Sequence, residues 1–312
     1  MRTLWLLAIL AGCSTKDGTG DTDVDTTADT DVTTDGLTLT DVITVNTAPV
    51  GDFTCLPAAG TWLTQAIDPS CIVDVPIMGR VEDFESGDGV GNLTVELWLS
   101  DNLSGAADVT MTSDGDGNVS GGNASTCQPW TSRVTSTDDS TLPTIQEHWS
   151  DGPGNPMGAY FNSVSSSTLA LMTTLLGVTP DPAMGVIAGT AYDCGGEGGD
   201  SLAENIQVIV RAADGTYPAT QDIRYFLDEF PNRQQTSTSG DGLWMIANIP
   251  PGDVVIEAYA APDADQPARL IAQTKAQVFA GGLIVADIYT GSEDGVHLPA
   301  SCTVDCAAAR TR

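Results

Sequence analysis

Residues 236–260 read "TSTSGDGLWMIANIPPGDVVIEAYA". Small polar residues and glycine give way at Leu243 to a run in which Trp244, Ile246 and Ile249 recur at strand spacing. After the turn residues Pro250, Pro251, Gly252 and Asp253, Val254, Ile256 and Ala258 follow with a period of two. A period of two marks strands that bury one face and wet the other, and Pro-Gly-Asp punctuation between two such runs marks a tight reversal. These six side chains therefore predict one shared interior across a turn. Further Gly, Asp, Asn and Pro breaks at short intervals extend that prediction to a β-sandwich.

Working outward, residues 77–83 ("IMGRVED") and 187–193 ("IAGTAYD") share Ile, Gly and Asp at matching places. "NLTV" from Asn92 parallels "NIQV" from Asn205, and "GDG" at 115–117 parallels "GDG" at 240–242. Matches in one order, about a domain length apart, predict an internal duplication. Both copies carry strand periodicity. Leu93, Val95, Leu97 and Leu99 alternate with Thr94, Glu96 and Trp98, which places Trp98 on the outward face, and Ile206, Val208 and Val210 form the matching set.

The 236–260 stretch resembles the signature of carboxypeptidase regulatory-like domains, in which a Gly turn precedes an aromatic residue and then Asn, an aliphatic residue, Pro, any residue and Gly. Gly242, Trp244, Asn248, Ile249, Pro250 and Gly252 fill those places, over a resemblance running from about 185 to 290. It implies the prealbumin (transthyretin-like) sandwich. The first copy lacks the Asn-aliphatic-Pro-x-Gly element: "NVSGGNASTC" follows its "GDG". The expected fold is all-β, with two tandem prealbumin-like β-sandwich domains: a degenerate one over 48–180, a regulatory-like one over 181–298, and a cysteine-containing tail over 299–312. Between the copies, Ser165 or Ser166 is placed to cap one short helix on which Leu169, Met172, Leu175 and Leu176 share a face. Gly177 terminates it and Pro180 lies beyond. Its apolar face is expected to seal one sandwich.

The N-terminus reads "MRTLWLLAILAGC", with Arg2 ahead of an apolar run and small residues directly before Cys13. This resembles a bacterial lipoprotein signal peptide over 1–12 whose lipobox is Leu10, Ala11, Gly12 and Cys13. The resemblance implies cleavage before Cys13 and acylation there; an ordinary secretory signal is the alternative. Two or three acyl chains hold a protein on a membrane far better than one. Ser14 stands where an inner-membrane retention signal places Asp, which implies the outer membrane and a periplasmic or surface-exposed location. From 13 to 47 the Asp/Thr-rich composition cannot bury enough apolar area to offset ordering entropy, and predicts a solvated tether spanning on the order of 30 Å.

The chain has 312 residues and a formal net charge of −31, from 42 acidic and 11 basic residues. Such a surface repels phosphate backbones, so no nucleic-acid partner is expected. Neither does the sequence hold the roughly 18 apolar residues in a row that a spanning helix needs. The six cysteines after Cys13 (Cys55, Cys71, Cys127, Cys194, Cys302 and Cys306) are candidate disulfide partners; six allow 15 connectivities. A reach from Cys302 or Cys306 back to Cys194 is one geometric guess. With two histidines and no CxxC, no structural zinc site is expected.

Groups suited to chemistry are sparse. His148 stands beside Trp149, Ser150 and Asp151, a hydrolase-like neighbourhood, yet residues adjacent on a loop rarely aim at one another and no nucleophile elbow is present. "YTGS" at 289–292 resembles the C-terminal motif of transthyretin-related hydroxyisourate hydrolases, but Thr290 replaces its Arg and the chain continues past it. Asp114, Asp116 and Asn118 form half of a calcium loop without the turn Gly or terminal Glu, and a plain Asp-Gly turn is the alternative. Trp98, Trp130 and Trp149 are candidate ring faces for a sugar. The expectation is a non-catalytic, membrane-anchored envelope module without a cofactor, attached through Cys13. Envelope proteins or a polysaccharide are its expected partners; a carbohydrate-binding module and then an extracytoplasmic hydrolase are the alternatives.

Overall fold

Residues 77–83 and 187–192 of the two similar stretches lie in central strands of two sandwiches in the computed structural model. It describes residues 38–292 apart from 57, 59–60, 64–65, 101–102, 104, 139, 150–156, 195–200 and 262–266, together with Cys302 and Cys306. Residues 36–312 form one compact unit. The fold is all-β. In the first half β1 (Asp74–Asp83) pairs antiparallel with β4 (Asn118–Ser125) and parallel with β7 (Met157–Ser163). Opposite stand β2 (Thr94–Trp98), β3 (Val109–Thr112), β5 (Pro129–Thr135) and β6 (Thr144–Trp149), in the order β3-β2-β5-β6. Ile77, Val81, Val95, Leu97, Trp130 and Phe161 fill the space between the two sheets.

The second half repeats this plan. Strand β8 (Gly185–Tyr192) pairs antiparallel with β12 (Leu243–Ile249) and parallel with β15 (Leu283–Val285), as β1 does with β4 and β7. Its other sheet joins β9 (Gln207–Ala212), β13 (Gly252–Ala260) and β14 (Arg269–Val278), matching β2, β5 and β6. Trp244, Ile246, Ile249, Val254, Ile256 and Ala258 share the core that their spacing predicts. One strand differs between the halves: β3 pairs with β2, whereas β10 (Asp222–Leu227) pairs with β12 and with β11 (Phe230–Asn232). A further short strand, β16 (Ile288–Tyr289), adds to β8. Parallel pairing of β15 with β6 fuses the halves into one ten-stranded sheet.

The repeated sequence elements coincide because each meets the same backbone demand. Asn92 and Asn205 both adopt left-handed φ, 64° and 63°, a conformation Asn tolerates better than other non-glycine residues. Gly117 and Gly242, at φ 86° and 66°, accept the amides of Val81 and Ala191 on their carbonyl oxygens at 2.8 and 2.9 Å. A Cβ on either glycine would meet the carbonyl oxygen of the same partner, at 2.5 and 2.7 Å. Only glycine fits there, so both copies retain "GDG".

The connecting helix follows its sequence signals. Here α1 is the single turn Leu39–Val42, and α2 is Ser166–Leu176, with Ser165 accepting from the Thr168 amide and Gly177 left-handed at the C-cap. Leu176 with half-buried Leu169 and Met172 packs on Val186, Phe226, Met245 and Ala247, the outer face of the second sandwich's larger sheet. Leu175 departs from the expected face: with Leu171 it is exposed. The C-terminal carbonyls carry partial negative charge, and two arginines answer it. Arg233 donates to Leu175 and Thr174 at 2.7 Å each, and Arg224 to Leu176 at 3.1 Å.

Ordered chain begins before residue 48: the Thr44 and Val45 amides donate to the Gln207 side chain at 2.7 and 2.8 Å, and Val50 bridges to Glu204. The expected signal peptide over 1–12, Cys13 and the acidic stretch up to residue 37 lie outside the described residues.

Candidate functional site

Three disulfides join Cys55 to Cys194, Cys71 to Cys306 and Cys127 to Cys302. The guess that Cys302 or Cys306 reaches Cys194 is corrected. Both tail cysteines return to the first sandwich, where the four sulfurs of two bridges form a small buried cluster with Ile67, and the Cys302 carbonyl accepts from the Asp68 amide at 2.9 Å. Cys194 follows β8 and meets the segment preceding β1. That placement depends on where chain ends fall in space, which cysteine spacing does not encode.

Two of the three candidate tryptophans, Trp98 and Trp130, do not face solvent. Trp98 is 4% exposed: Arg133 lies over its ring at 5.1 Å, held there by an ion pair to Glu96 at 2.7 Å, and its Nε1 donates to the Gly105 carbonyl at 3.4 Å. The strand alternation correctly turns Trp98 away from the core, but a cross-strand arginine and the following loop cover it. Trp130, 2% exposed, is an interior residue. Trp149 ends β6 opposite Pro129, and its side chain is outside the described residues.

His148 is in a strand rather than a loop and points into the first sandwich. It stacks on Trp130 with ring centroids 4.0 Å apart, meets the edge of Phe161, and shares a 2.8 Å hydrogen bond from Nε2 with the Ser132 hydroxyl. Enclosure among these rings pushes its pKa down to about 3, so the imidazole is neutral across the physiological range. A Ser–His contact invites a catalytic reading. Ser132, however, is fully buried and offers no approach to a substrate, and among the described residues no carboxylate orients the imidazole as a triad requires. Ser150 and Asp151 lie outside the described residues.

Asp114 is occupied by its own turn. One carboxylate oxygen accepts from the Asp116 and Asn118 amides at 3.0 and 2.8 Å, and both oxygens accept from the Asn118 side chain at 3.2 Å. These bonds hold its pKa below the usual carboxylate value. Among the described residues no group of three or more His, Cys, Asp or Glu side chains is placed to hold a metal ion. The plain Asp-Gly turn describes Asp114, Asp116 and Asn118.

Two polar constellations escaped the sequence reading. On the face of β13 away from the core, Glu257 is buried yet satisfied: Arg211 donates at 2.6 Å, Tyr217 at 3.1 Å and Tyr259 at 2.9 Å. The bond to Glu257 raises the Arg211 pKa, while burial raises those of both tyrosines. Arg211 and Tyr217, six apart on a strand and its following turn, and Glu257 and Tyr259, two apart on another strand, carry no recognisable spacing, so nothing in the sequence announces this group. The second is a cleft of about 270 Å³ between residues 42–44 and the β9–β10 region, walled by Gln207, Arg224, Tyr225 and Arg233. Its arginines serve the α2 C-terminus, and the Gln207 amide is engaged by Thr44, Val45 and Thr236. Both constellations brace the fold.

No protein-family model matches the chain, and no curated protein matches it. Among solved structures, the Bacillus anthracis TIE protein is similar at 12% identity and a TM-score of 0.24, over 71% of this chain and 35% of that one. The chain thus spans about a third of that protein. The shaft pilin SpaA of Lactobacillus rhamnosus GG is similar at 9% identity and a TM-score of 0.22, over 72% of this chain and 100% of the pilin. The minor pilin GBS52 of Streptococcus agalactiae gives 8% identity and 0.22, over 72% and 98%. At these values the similarities add nothing to the sandwich architecture that the strand pairing itself defines. No helix among the described residues is long and apolar enough to cross a membrane.

Proposed function

We propose that the chain is a non-catalytic module of the bacterial cell envelope, lipid-anchored at Cys13 to the outer membrane and carrying two fused β-sandwiches away from it. One observation carries this reading: the disulfides of the described residues use six of the seven cysteines, and the seventh is Cys13. Disulfides of this kind persist outside the reducing cytosol, which supports export. A cysteine placed after an apolar run and small residues, and not used in the folded part, is suited to acylation.

The resemblance of 185–290 to carboxypeptidase regulatory-like domains belongs to the same proposal, and the motif residues have physical work in the fold. Asn248 takes φ 60° at a bulge in β12; its side chain bonds Asp181, Asp222 and Thr179, and Trp244 and Ile249 are buried. Those roles are structural, which supports a module that presents surfaces to envelope proteins. A polysaccharide ligand would need ring faces that Trp98 and Trp130 do not offer. The test is metabolic labelling with a fatty acid and membrane fractionation. The wild-type chain takes the label and sediments with membranes, whereas Cys13→Ala loses both; an unchanged Cys13→Ala chain overturns the anchor.

A further inference from the structure

Four Asn-x-Ser/Thr sequences occur in the chain, at Asn92, Asn102, Asn118 and Asn123, all between residues 92 and 125. Such a sequence is the acceptor motif for N-linked oligosaccharide in exported proteins, and is meaningful only where the Asn and the hydroxyl two residues on are both accessible. The structure separates the candidates. Asn102 lies outside the described residues. Asn92 is exposed, but Thr94 is half-buried and paired within β2. Asn123 is exposed, but its partner hydroxyl, Ser125, is tied to the Asp74 carboxylate at 2.8 Å. Asn118 and Ser120 are both exposed, and the Ser120 hydroxyl has no partner among the described residues.

The strand geometry adds a second argument. Residues i and i+2 of a strand share a face, so Asn118 and Ser120 stand side by side on β4, an outer strand that pairs only with β1. Across the sheet, Asn118 is opposite Arg80, and Arg80 is opposite Tyr160; Ser120 is opposite Met78, and Met78 is opposite Gly158. Tyr160 is 66% exposed and Met78 50%, two large apolar side chains on a face that no described segment covers. Between Ser120 and Asn123 two residues of β4, Gly121 and Gly122, stand against one of β1, Ile77. That bulge turns Asn123 back to the same outward face although it lies an odd number of residues away.

We propose that Asn118 is an N-glycosylation site, and that its oligosaccharide lies over the Met78–Tyr160 face of the three-stranded sheet. The co-substrate is a polyprenyl-pyrophosphate-linked oligosaccharide and the catalyst an extracytoplasmic oligosaccharyltransferase. The Asn118 Nδ2 bonds to C1 of the first sugar, the C1–O bond to pyrophosphate breaks with its electron pair leaving on the pyrophosphate, and one amide proton passes to a carboxylate of the transferase. The Asp116 and Asn118 backbone amides that donate to Asp114 are untouched by the reaction, so the turn survives modification. The proposal rests on the export read above.

The experiment is intact-mass and glycopeptide mass spectrometry of the full chain purified from the cells that make it, alongside Asn118→Gln, Ser120→Ala and Asn123→Gln variants. The expected result is a saccharide mass increment on the peptide containing Asn118, lost in Asn118→Gln and in Ser120→Ala and retained in Asn123→Gln. Ser120→Ala keeps the Asn118 turn, so its loss of the increment is not a folding effect. An unmodified Asn118 peptide from a membrane-fractionated, disulfide-bonded chain overturns the proposal while leaving export standing; an increment that follows Asn123 alone overturns the assignment to Asn118.

Discussion

Ser113 and Thr238 hold the same hydrogen bonds in the two sandwiches. The Ser113 hydroxyl accepts from the Leu93 amide at 2.9 Å and donates to the Val90 carbonyl at 2.8 Å. The Thr238 hydroxyl accepts from Ile206 at 2.9 Å and donates to Ala203 at 2.8 Å. Both are buried, so each hydroxyl satisfies two backbone groups that water does not reach. Thr238→Val keeps the shape and strands both groups, at a cost of about 2–4 kcal/mol. Thr238→Ser, which installs what the first copy already uses, is near neutral. Urea unfolding of the two variants tests this, and equal losses would show that the hydroxyl is not the reason.

That equivalence also marks what the sequence makes legible. "NLTV" and "NIQV", and the two "GDG" turns, match because left-handed φ and close backbone approach admit few residue types, so a structural need becomes a residue signature. The interior set from Trp244 to Ala258 is legible for a similar reason, since burial on one face imposes a period of two. Trp98 is the opposite case: its outward direction follows from the period, but its cover comes from Arg133, 35 residues away in sequence and next to it only once β2 and β5 pair. The fusion of β6 with β15, the move of β10 to the other sheet and the three disulfides are likewise set by long-range geometry. Tyr217, Tyr259 and Arg211 around Glu257 are invisible on that account too.

His148 makes stability depend on pH. Its pKa is about 3 in the fold and near 6.5 in the unfolded chain, which therefore takes up the proton first as pH falls. Stability from this residue is full above about pH 6.5 and declines progressively toward pH 3. His148→Gln removes that slope and keeps a polar partner for Ser132. The check is the melting temperature from pH 3.5 to 7.5; parallel curves for wild type and variant would refute the neutral imidazole enclosed by Trp130 and Phe161. Because the ring packs against Trp130 and Phe161, the variant is expected to lose stability near pH 7.

Asp287 acts with the opposite sign. It sits between β15 and β16 and accepts from the Thr190 amide at 3.0 Å; burial pushes its pKa up to about 6, outweighing the lowering by that bond. The folded state then holds a proton that the unfolded chain has released above about pH 4, so stability from this group is present below pH 4 and is lost as pH rises through 6. Asp287→Asn keeps the acceptor oxygen and removes the charge. It raises the melting temperature at pH 7.5 and leaves it unchanged at pH 4. A gain of equal size at both values would point to packing instead.

The two tail disulfides predict a different kind of dependence. They close loops with sequence separations of 235 and 175, from Cys71 to Cys306 and from Cys127 to Cys302. Removing such a bridge costs roughly 2–5 kcal/mol, chiefly by freeing the unfolded chain. The Cys127→Ala/Cys302→Ala pair lowers stability by that amount while the second sandwich keeps its core. Non-reducing peptide mapping gives a direct check, with Cys55 linked to Cys194 and both tail cysteines linked to the first half.

Arg233 and Gly177 close the α2 terminus together. Arg233 donates to the Thr174 and Leu175 carbonyls of the last turn, the first of which also accepts from the Gly177 amide at 3.1 Å, and Gly177 turns the chain at φ 71°. A Cβ at Gly177 would stand 3.0 Å from the Arg233 side chain, so a larger residue there both strains the backbone and displaces the cation. Arg233→Ala is expected to cost about 1–2 kcal/mol, since the bonds involve a charged donor but the site is exposed. Arg233→Lys recovers only part, because an ammonium does not present the guanidinium's fixed fork to two carbonyls. Gly177→Ala costs at least as much as Arg233→Ala, and the double variant costs less than the sum, because each change already disrupts the contact the other needs. Additive losses in that double-mutant cycle would show that Arg233 and Gly177 act independently on the helix end.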